Sequence, residues 1–304
     1  MRREFSNAIE KIARENKELI FLTGDLGFMA LENVRDAIGP RFVNAGVSEQ
    51  NIISMAAAMA TEGLLPLCYS IAPFIVFRPA EQIRLDVCLH GLNVKIVGNG
   101  GGYGYGIMGA THHAIEDIAV LSSFQNMKCF IPLCNEDVEA ALSAMFEYQG
   151  PSYFRLGFGV LPASMELPAF RHTRKLKDGN DLTIVGMGPV LLNAIQLSGK
   201  TDFPFSADIF AISEMPFPDL SDELKQSIRK TSRVLVIEEH VKRGGMGEHL
   251  ASHLLENNIT CSYKQLYATG YQNGLYGSQS YHQSLSGLDP AIIATTIKQI
   301  LYGK

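Results

Sequence analysis

The sequence predicts an α/β protein of two domains, each a mostly parallel sheet flanked by helices. Three observations carry this. Short apolar runs alternate with stretches of helical period along most of the 304 residues, the pattern of a parallel sheet covered on both faces. The alternation breaks once, between Gly157 and Asp181, where Pro162, Pro168 and a basic run (Arg171, Arg174, Lys175, Lys177) intervene, and then restarts. The length itself corresponds to about two domains at roughly 150 residues each. The expected division is a first domain over 1–160, a linker over 161–177 and a second domain over 178–304.

The elements follow in order. Phe5, Ile9 and Ile12 give Arg2 to Glu15 a helical stripe. Leu19 to Thr23 is a short β-like run ending in Gly24-Asp25. Glu49 to Glu62 returns to helix and Leu65 to Tyr69 to strand. Pro79 to Leu89 reads as helix, with Pro79 suited to a first turn. Asn93 to Val97 is a strand running into glycines. Asp117 to Phe124 is helical, Lys128 to Ile131 extended, and Asn135 to Tyr148 helical with Asn135 as N-cap. Pro151 to Leu156 closes the first set. In the second set Leu182 to Val185, Ala207 to Ile212, Arg233 to Ile237 and Cys261 to Leu266 read as strands. Helices are expected from about Val190, around Asp219 to Lys230, from Met246 to Asn257 and from Pro290 to Leu301. Tyr267 to Leu288 is a long loop rich in Gly, Ser and Tyr, of the kind that carries function or forms an interface.

Composition excludes several classes. With 46% hydrophobic and 19% charged residues the chain builds a packed core. Lys+Arg 26 against Asp+Glu 31 gives a net charge of −5, which argues against a nucleic-acid partner. No stretch approaches the ~20 apolar residues of a membrane span. The start, Met1-Arg2-Arg3-Glu4-Phe5, has no apolar core behind it and does not read as a signal peptide. Five scattered cysteines with no C-x-x-C predict buried free thiols in a reducing, cytoplasmic setting.

Four constellations carry polar groups of interest. Gly98 to Gly106 is glycine-rich, and Gly104-Tyr105-Gly106-Ile107-Met108-Gly109 satisfies G-x-G-x-x-G. The next strand ends in Pro132 and lacks the acid a dinucleotide site needs, so a tight loop near a ligand is the better reading. Glu49 opens an apolar helix behind Asn44 or Ser48 as cap; composition alone makes it a surface acid that complements the helix dipole. His112 and His113 are adjacent on a helical stretch, face different ways and do not suit joint metal ligation. Glu238-Glu239-His240 ends a strand beside Gly244-Gly245, where sites in α/β sheets sit.

Taken together these segments resemble the transketolase family of thiamine diphosphate enzymes, and more narrowly the small, C-terminal subunit found where transketolase is split in two genes. Thr23-Gly24-Asp25-Leu26-Gly27 resembles the family's T-x-D-L-G. Arg41-Phe42-Val43-Asn44-Ala45-Gly46-Val47-Ser48-Glu49-Gln50-Asn51 resembles R-F-x-N-x-G-I-x-E-Q-N. Glu81-Gln82-Ile83-Arg84 resembles E-Q-I-R, and Gly109-Ala110-Thr111-His112-His113-Ala114-Ile115-Glu116-Asp117 resembles G-A-T-H-Q-x-x-E-D. Glu238-Glu239-His240 with Gly244-Gly245-Met246-Gly247 resembles E-E-H and G-G-x-G of the C-terminal domain. The order and spacing of all five are what make the match specific.

The resemblance implies a pyrimidine-binding domain followed by a transketolase-type C-terminal domain. Thiamine diphosphate carries the hard step, loss of its C2 proton before attack on a carbonyl. Its aminopyrimidine removes that proton once N1′ is hydrogen-bonded by a carboxyl group, which the motif places at Glu49. Val47 is then an apolar neighbour of the cofactor. Phe74, matching the second aromatic of T-F-x-x-F, stacks on the aminopyrimidine; the first aromatic is Ile71 here. Asp25 resembles the acid turned toward the cofactor, and His112 the histidine facing the substrate carbonyl. Catalytic roles thus fall to Glu49 and His112, and cofactor contacts to Asp25, Val47, Glu49 and Phe74.

The family holds diphosphate and Mg²⁺ with G-D-G…N, and Gly-Asp-Gly does not occur in this sequence. The expected partner is a separate N-terminal subunit carrying that motif, with the metal held there, in an α2β2 assembly with two-fold symmetry. Departures bear on substrate. Where sugar-phosphate transketolases have a histidine, an acid and a phosphate-gripping arginine, this chain has Gly100, Met108 and Phe158, while Arg155 lies three residues before Phe158. Transfer of a two-carbon ketol or acyl unit to a modified sugar or other aldehyde acceptor is therefore expected. Two alternatives stay open: a 2-oxoacid dehydrogenase β subunit or deoxyxylulose-phosphate-synthase-like chain, and a non-catalytic interaction subunit.

Overall fold

The structure, a computed structural model, describes residues 1–27, 29–163, 165–198 and 205–303. Twelve strands run in chain order: β1 Leu19–Thr23, β2 Phe42–Asn44, β3 Leu65–Ile71, β4 Lys95–Asn99, β5 Lys128–Phe130, β6 Ser152–Leu156, β7 Thr173–Lys177, β8 Leu182–Met187, β9 Ala207–Ile212, β10 Glu214–Met215, β11 Arg233–Glu238 and β12 Ser262–Leu266. They form a seven-stranded sheet in the order β10-β5-β6-β4-β3-β1-β2 and a five-stranded sheet in the order β12-β11-β8-β9-β7. Each is parallel except at one edge, where β10 and β7 run antiparallel to their neighbours.

Period-2 alternation places the core. Phe21, Tyr69, Val97 and Phe154 face the helices Arg2–Glu15, Glu32–Ile38 and Val138–Glu147. Leu22, Cys68, Ile96 and Tyr153, one residue away in each strand, face the other side, against the helix Glu49–Thr61 and the segments after β3 and β4. The second sheet repeats the scheme. Ile184, Ile209 and Leu235 pack on the helices Leu191–Leu197 and Pro290–Tyr302, while Val185, Phe210 and Val236 pack on Asp222–Thr231 and Met246–Glu256. The cluster holding Leu22 and Cys68 continues through Ile131, Met215 and Phe217 into Val185 and Phe210, so one apolar core joins the two sheets.

Several expectations need correction. The segment expected as linker ends in β7, which pairs with β9 from Thr173 to Lys177; Ser164 of that linker lies outside the described residues. Edge strands carry charge to block further pairing, and that charge disguised this one: Lys175 reaches Asp208 at 3.0 Å, and Arg174 is buried against Asp137 of the first domain, at 2.7 and 2.6 Å. The helix expected over Pro79–Leu89 is present as Ala80–Gln82 running directly into a wide-turned Ile83–Cys88, and an unforeseen helix, Ala72–Phe77, precedes it; Pro79, with no N–H to continue the ladder, separates the two. Asn135 does not cap a helix with its side chain; its Oδ1 accepts from the amino group of Met1 at 2.6 Å. A helix, Gln279–Leu285, lies inside the expected loop Tyr267–Leu288. Cys68, Cys88, Cys129 and Cys134 are buried free thiols and Cys261 is half-buried. Among the described residues no helix is long and apolar enough to cross a membrane.

Candidate active site

The strand order fixes where a site forms. From β1 the chain crosses to β2 on one side, and from β3 to β4 on the other, so the connections part at the carboxyl ends of β1 and β3. That crevice is where open α/β sheets bind ligands. The turn 24–27 leaves β1 there, the helix Ala72–Phe77 leaves β3 there, and the helix Glu49–Thr61 begins beside them after β2.

Glu49 is the first residue of its helix and only 3% exposed. Both of its oxygens accept from Arg78 Nη1, each at 2.9 Å. The Arg78 guanidinium carbon lies 3.9 Å from the Phe74 ring centroid, a cation–π contact. The His112 ring meets Phe74 edge-on at 5.2 Å between centroids, and the Tyr105 ring is tilted against His112 at 5.8 Å. Thr111 Oγ1 and His112 Nδ1 are 2.9 Å apart, and Asn99 holds the Tyr105 hydroxyl at 2.8 Å. The structure therefore brings Glu49, Phe74 and His112 together.

Asp25 and Val47 are placed differently. Asp25 is exposed, in a left-handed conformation (φ 56°). Its N–H donates to Asn44 Oδ1 at 2.9 Å, and the same oxygen accepts from Gly46 N–H at 3.1 Å. Asn44 thus ties the β1 turn to the loop that delivers Glu49, rather than capping the helix; Ser48 Oγ likewise donates to Ala45 O. Val47 is 71% exposed. Arg78, Tyr105 and Asn99 were missed by sequence reasoning, and Asn44 was given a capping role in place of this tie. Phe74 and Arg78 stand four apart, which is the spacing that could have paired them.

The remaining motifs are structural. His113 turns away from His112 into a buried cluster with Tyr103, Tyr271 and His282, with Nε2 at 2.8 Å from Gly106 O. Burial holds its pKa down to about 4. Glu238 accepts from the N–H groups of Met246 and Gly247, at 2.8 and 2.9 Å, and so seals the start of a helix; burial pushes its pKa up to about 7. Glu239 accepts from Tyr103 N–H at 2.7 Å and His240 Nε2 from Ala119 N–H at 3.1 Å. Glu239 and His240 thus clasp the two domains together, while Glu238 serves its own domain. Gly102 (φ +66°) lies so close to Glu239 that a β-carbon would overlap its carboxylate. The fingerprint-like loop forms no dinucleotide cradle but the short turn Gly106–Thr111 that leads to His112. Gly100 (φ +78°) has Tyr105 packed where a side chain would go.

Two family models match in series: the transketolase pyrimidine binding domain over residues 1–162 and the transketolase C-terminal domain over residues 171–291. The chain belongs to the transketolase family. It is 30% identical to a subunit of the apulose-4-phosphate transketolase of Phocaeicola vulgatus over 264 residues, 85% of this chain and 84% of that one. It is 28% identical to the 6-deoxy-6-sulfo-D-fructose transketolase subunit of Clostridium sp. over 276 residues, 84% and 81% of the two chains. A solved structure of a split gene transketolase, an inactive β4 tetramer, superposes with a TM-score of 0.83 at 27% identity, covering 99% of this chain and 97% of that one. Transketolases are transferases that depend on thiamine diphosphate. The donor set here fits the ring half of that cofactor: a buried carboxyl for a ring nitrogen beside an aromatic face. Among the described residues no cluster of three or more His, Cys, Asp or Glu suits a metal ion.

Proposed function

We propose that the chain is the small subunit of a split, thiamine diphosphate-dependent transketolase-like enzyme that transfers a two-carbon ketol or acyl unit to an aldehyde or sugar-type acceptor. The observation that carries the reading is the buried Glu49 carboxyl set beside Phe74 and His112 at the carboxyl ends of β1 and β3. The cofactor supplies the nucleophilic carbon when bound. Glu49 would hydrogen-bond its pyrimidine nitrogen. Phe74 would stack on the ring, Val47 would flank it and Asp25 would face it from the β1 turn. His112, held by Thr111, donates to or polarises the substrate carbonyl oxygen. The domains divide as 1–160 and 178–304, with β7 added to the second sheet.

The diphosphate and Mg²⁺ are assigned to a separate N-terminal subunit carrying G-D-G…N, in a cytoplasmic α2β2 heterotetramer serving carbohydrate metabolism. Substrate recognition departs from the ordinary pentose-phosphate pattern. The place of the phosphate-gripping arginine holds Phe158, 67% exposed. Arg155 cannot replace it: its guanidinium is buried on Asp117 Oδ2 at 2.8 Å and on the carbonyls of Ala114 and Glu239.

The test is reconstitution. The chain mixed with its partner, thiamine diphosphate and Mg²⁺ is expected to transfer two carbons from a ketose donor, and either chain alone to be silent. Turnover by this chain alone would overturn the split-site reading. Xylulose 5-phosphate with ribose 5-phosphate exchanged at ordinary transketolase rates would overturn the altered substrate.

A further inference from the structure

Arg78 lies where the two groups assigned to the cofactor's ring converge. Its Nη1 donates to both Glu49 oxygens at 2.9 Å, and the same planar guanidinium covers the Phe74 face at 3.9 Å. A flat heteroaromatic ring stacked on Phe74 and bonded to Glu49 needs those same two surfaces. Two planar groups cannot occupy one van der Waals contact layer, so the guanidinium and the ring exclude each other. We propose that Arg78 is a place-holder for the pyrimidine: in the cofactor-free chain it fills the ring site, and it must swing away before the ring can enter. The proposal rests on the assignment of Glu49 and Phe74 to the ring.

The physical reason lies in Glu49. At 3% exposed its carboxylate is costly to leave without a partner while the ring is absent. Arginine suits the interim role because its planar, fork-shaped head both donates to a carboxylate and stacks on an aromatic face. Arg78 is also well placed to leave. It is 45% exposed, and it follows the helix Ala72–Phe77 rather than lying inside it, so its head can return to water at small cost. The consequence is a reduced apparent affinity, because the ring binds only the fraction of molecules with Arg78 displaced.

The experiment uses the assembled pair, stripped of cofactor, with this chain as wild type, Arg78→Met or Arg78→Ala. Methionine keeps the aliphatic stem should alanine compromise folding. Thiamine diphosphate affinity is read by titration calorimetry at fixed Mg²⁺, with the melting temperature of each pair measured alongside. Removing a charge-assisted pair of this exposure is expected to tighten binding by about three- to tenfold, chiefly through a faster association rate. Arg78→Lys, which keeps the charge but not the planar fork, should fall between. A variant that melts like wild type but binds the cofactor equally or more weakly overturns the place-holder. If wild type and variants all fail to take up thiamine diphosphate, the assignment of Glu49 falls first and the place-holder with it.

Discussion

Replacing Arg155 with methionine tests whether this residue belongs to the core or to the substrate. Arg155 stands on β6, 6% exposed. Its Nε donates to Asp117 Oδ2 at 2.8 Å, and its Nη2 to Ala114 O at 2.8 Å and Glu239 O at 3.1 Å. Asp117 is fully buried and receives one other hydrogen bond, from the Tyr153 hydroxyl at 2.8 Å. Its Oδ1 has no hydrogen-bond partner among the described residues. Arg155→Met keeps an apolar stem but leaves a buried carboxylate with a single donor and two carbonyls with one fewer. Deleting one member of a buried ion pair costs about 3–5 kcal/mol. At about 2–4 °C per kcal/mol for a domain of this size, the melting midpoint should fall by roughly 6–20 °C.

The chain has no tryptophan, so circular dichroism through a denaturant titration is the suitable readout. Asp117→Asn should behave as a compensating change. With the charge removed, the double variant is expected to be less destabilised than the sum of the singles, by about 1–3 kcal/mol. Arg155→Met with a midpoint within about 2 °C of wild type and a raised KM for an anionic sugar would refute the structural assignment.

Other perturbations separate the remaining roles. Glu49→Gln in the assembled pair should lower kcat by at least ~10²-fold with melting little changed; full activity would favour a non-catalytic role for this chain. Phe158→Arg restores a forked cation at an exposed position and should lower KM for a phosphorylated sugar by about tenfold, leaving neutral substrates unaffected; equal KM values would place the end-group contact elsewhere. His113 is held near pKa 4 by burial, below its ordinary 6.5, so between those values the unfolded chain binds the extra proton and stability falls as pH drops from 6.5 to 4. His113→Gln should lessen that slope by about 1.4 kcal/mol per pH unit, with Tyr103, Tyr271 and His282 still around the site; superimposable pH profiles would contradict it.

The central strands were legible because parallel strands buried on both faces are continuous apolar runs, as Leu19–Thr23 and Leu182–Met187 are. What escaped was short or lay at an edge. Phe42–Asn44 and Glu214–Met215 are too brief to show a period, and Thr173–Lys177 reads as a solvated basic stretch until Asp208 and Asp137 are seen beside it. At the site, Glu49, His112 and Phe74 stood out through family motifs. Arg78 did not, because its partner lies 29 residues away and meets it only once β3 is laid beside β1. The fates of His113 and Glu238-Glu239-His240 were equally invisible, since a buried clasp and an active-site cluster draw on the same polar residue types.

The geometry also bears on the proposed need for a second chain. Electrostatic work by a carboxyl and an imidazole requires a site from which water is excluded. Here residues near the chemistry-bearing groups in sequence form an exposed apolar rim: Val47 is 71% exposed, Ile107 76% and Met108 51%. Val47 stands two residues from Glu49, and Met108 four from His112, so the exposed apolar surface is tied by the backbone to the proposed catalytic groups. Apolar side chains concentrated at a site rim, in a chain otherwise able to bury its core, are what a partner surface would cover. On the proposed reading, closing that rim would desolvate the half-buried His112 beside the already buried Glu49, so that assembly and catalytic competence would be two aspects of one event.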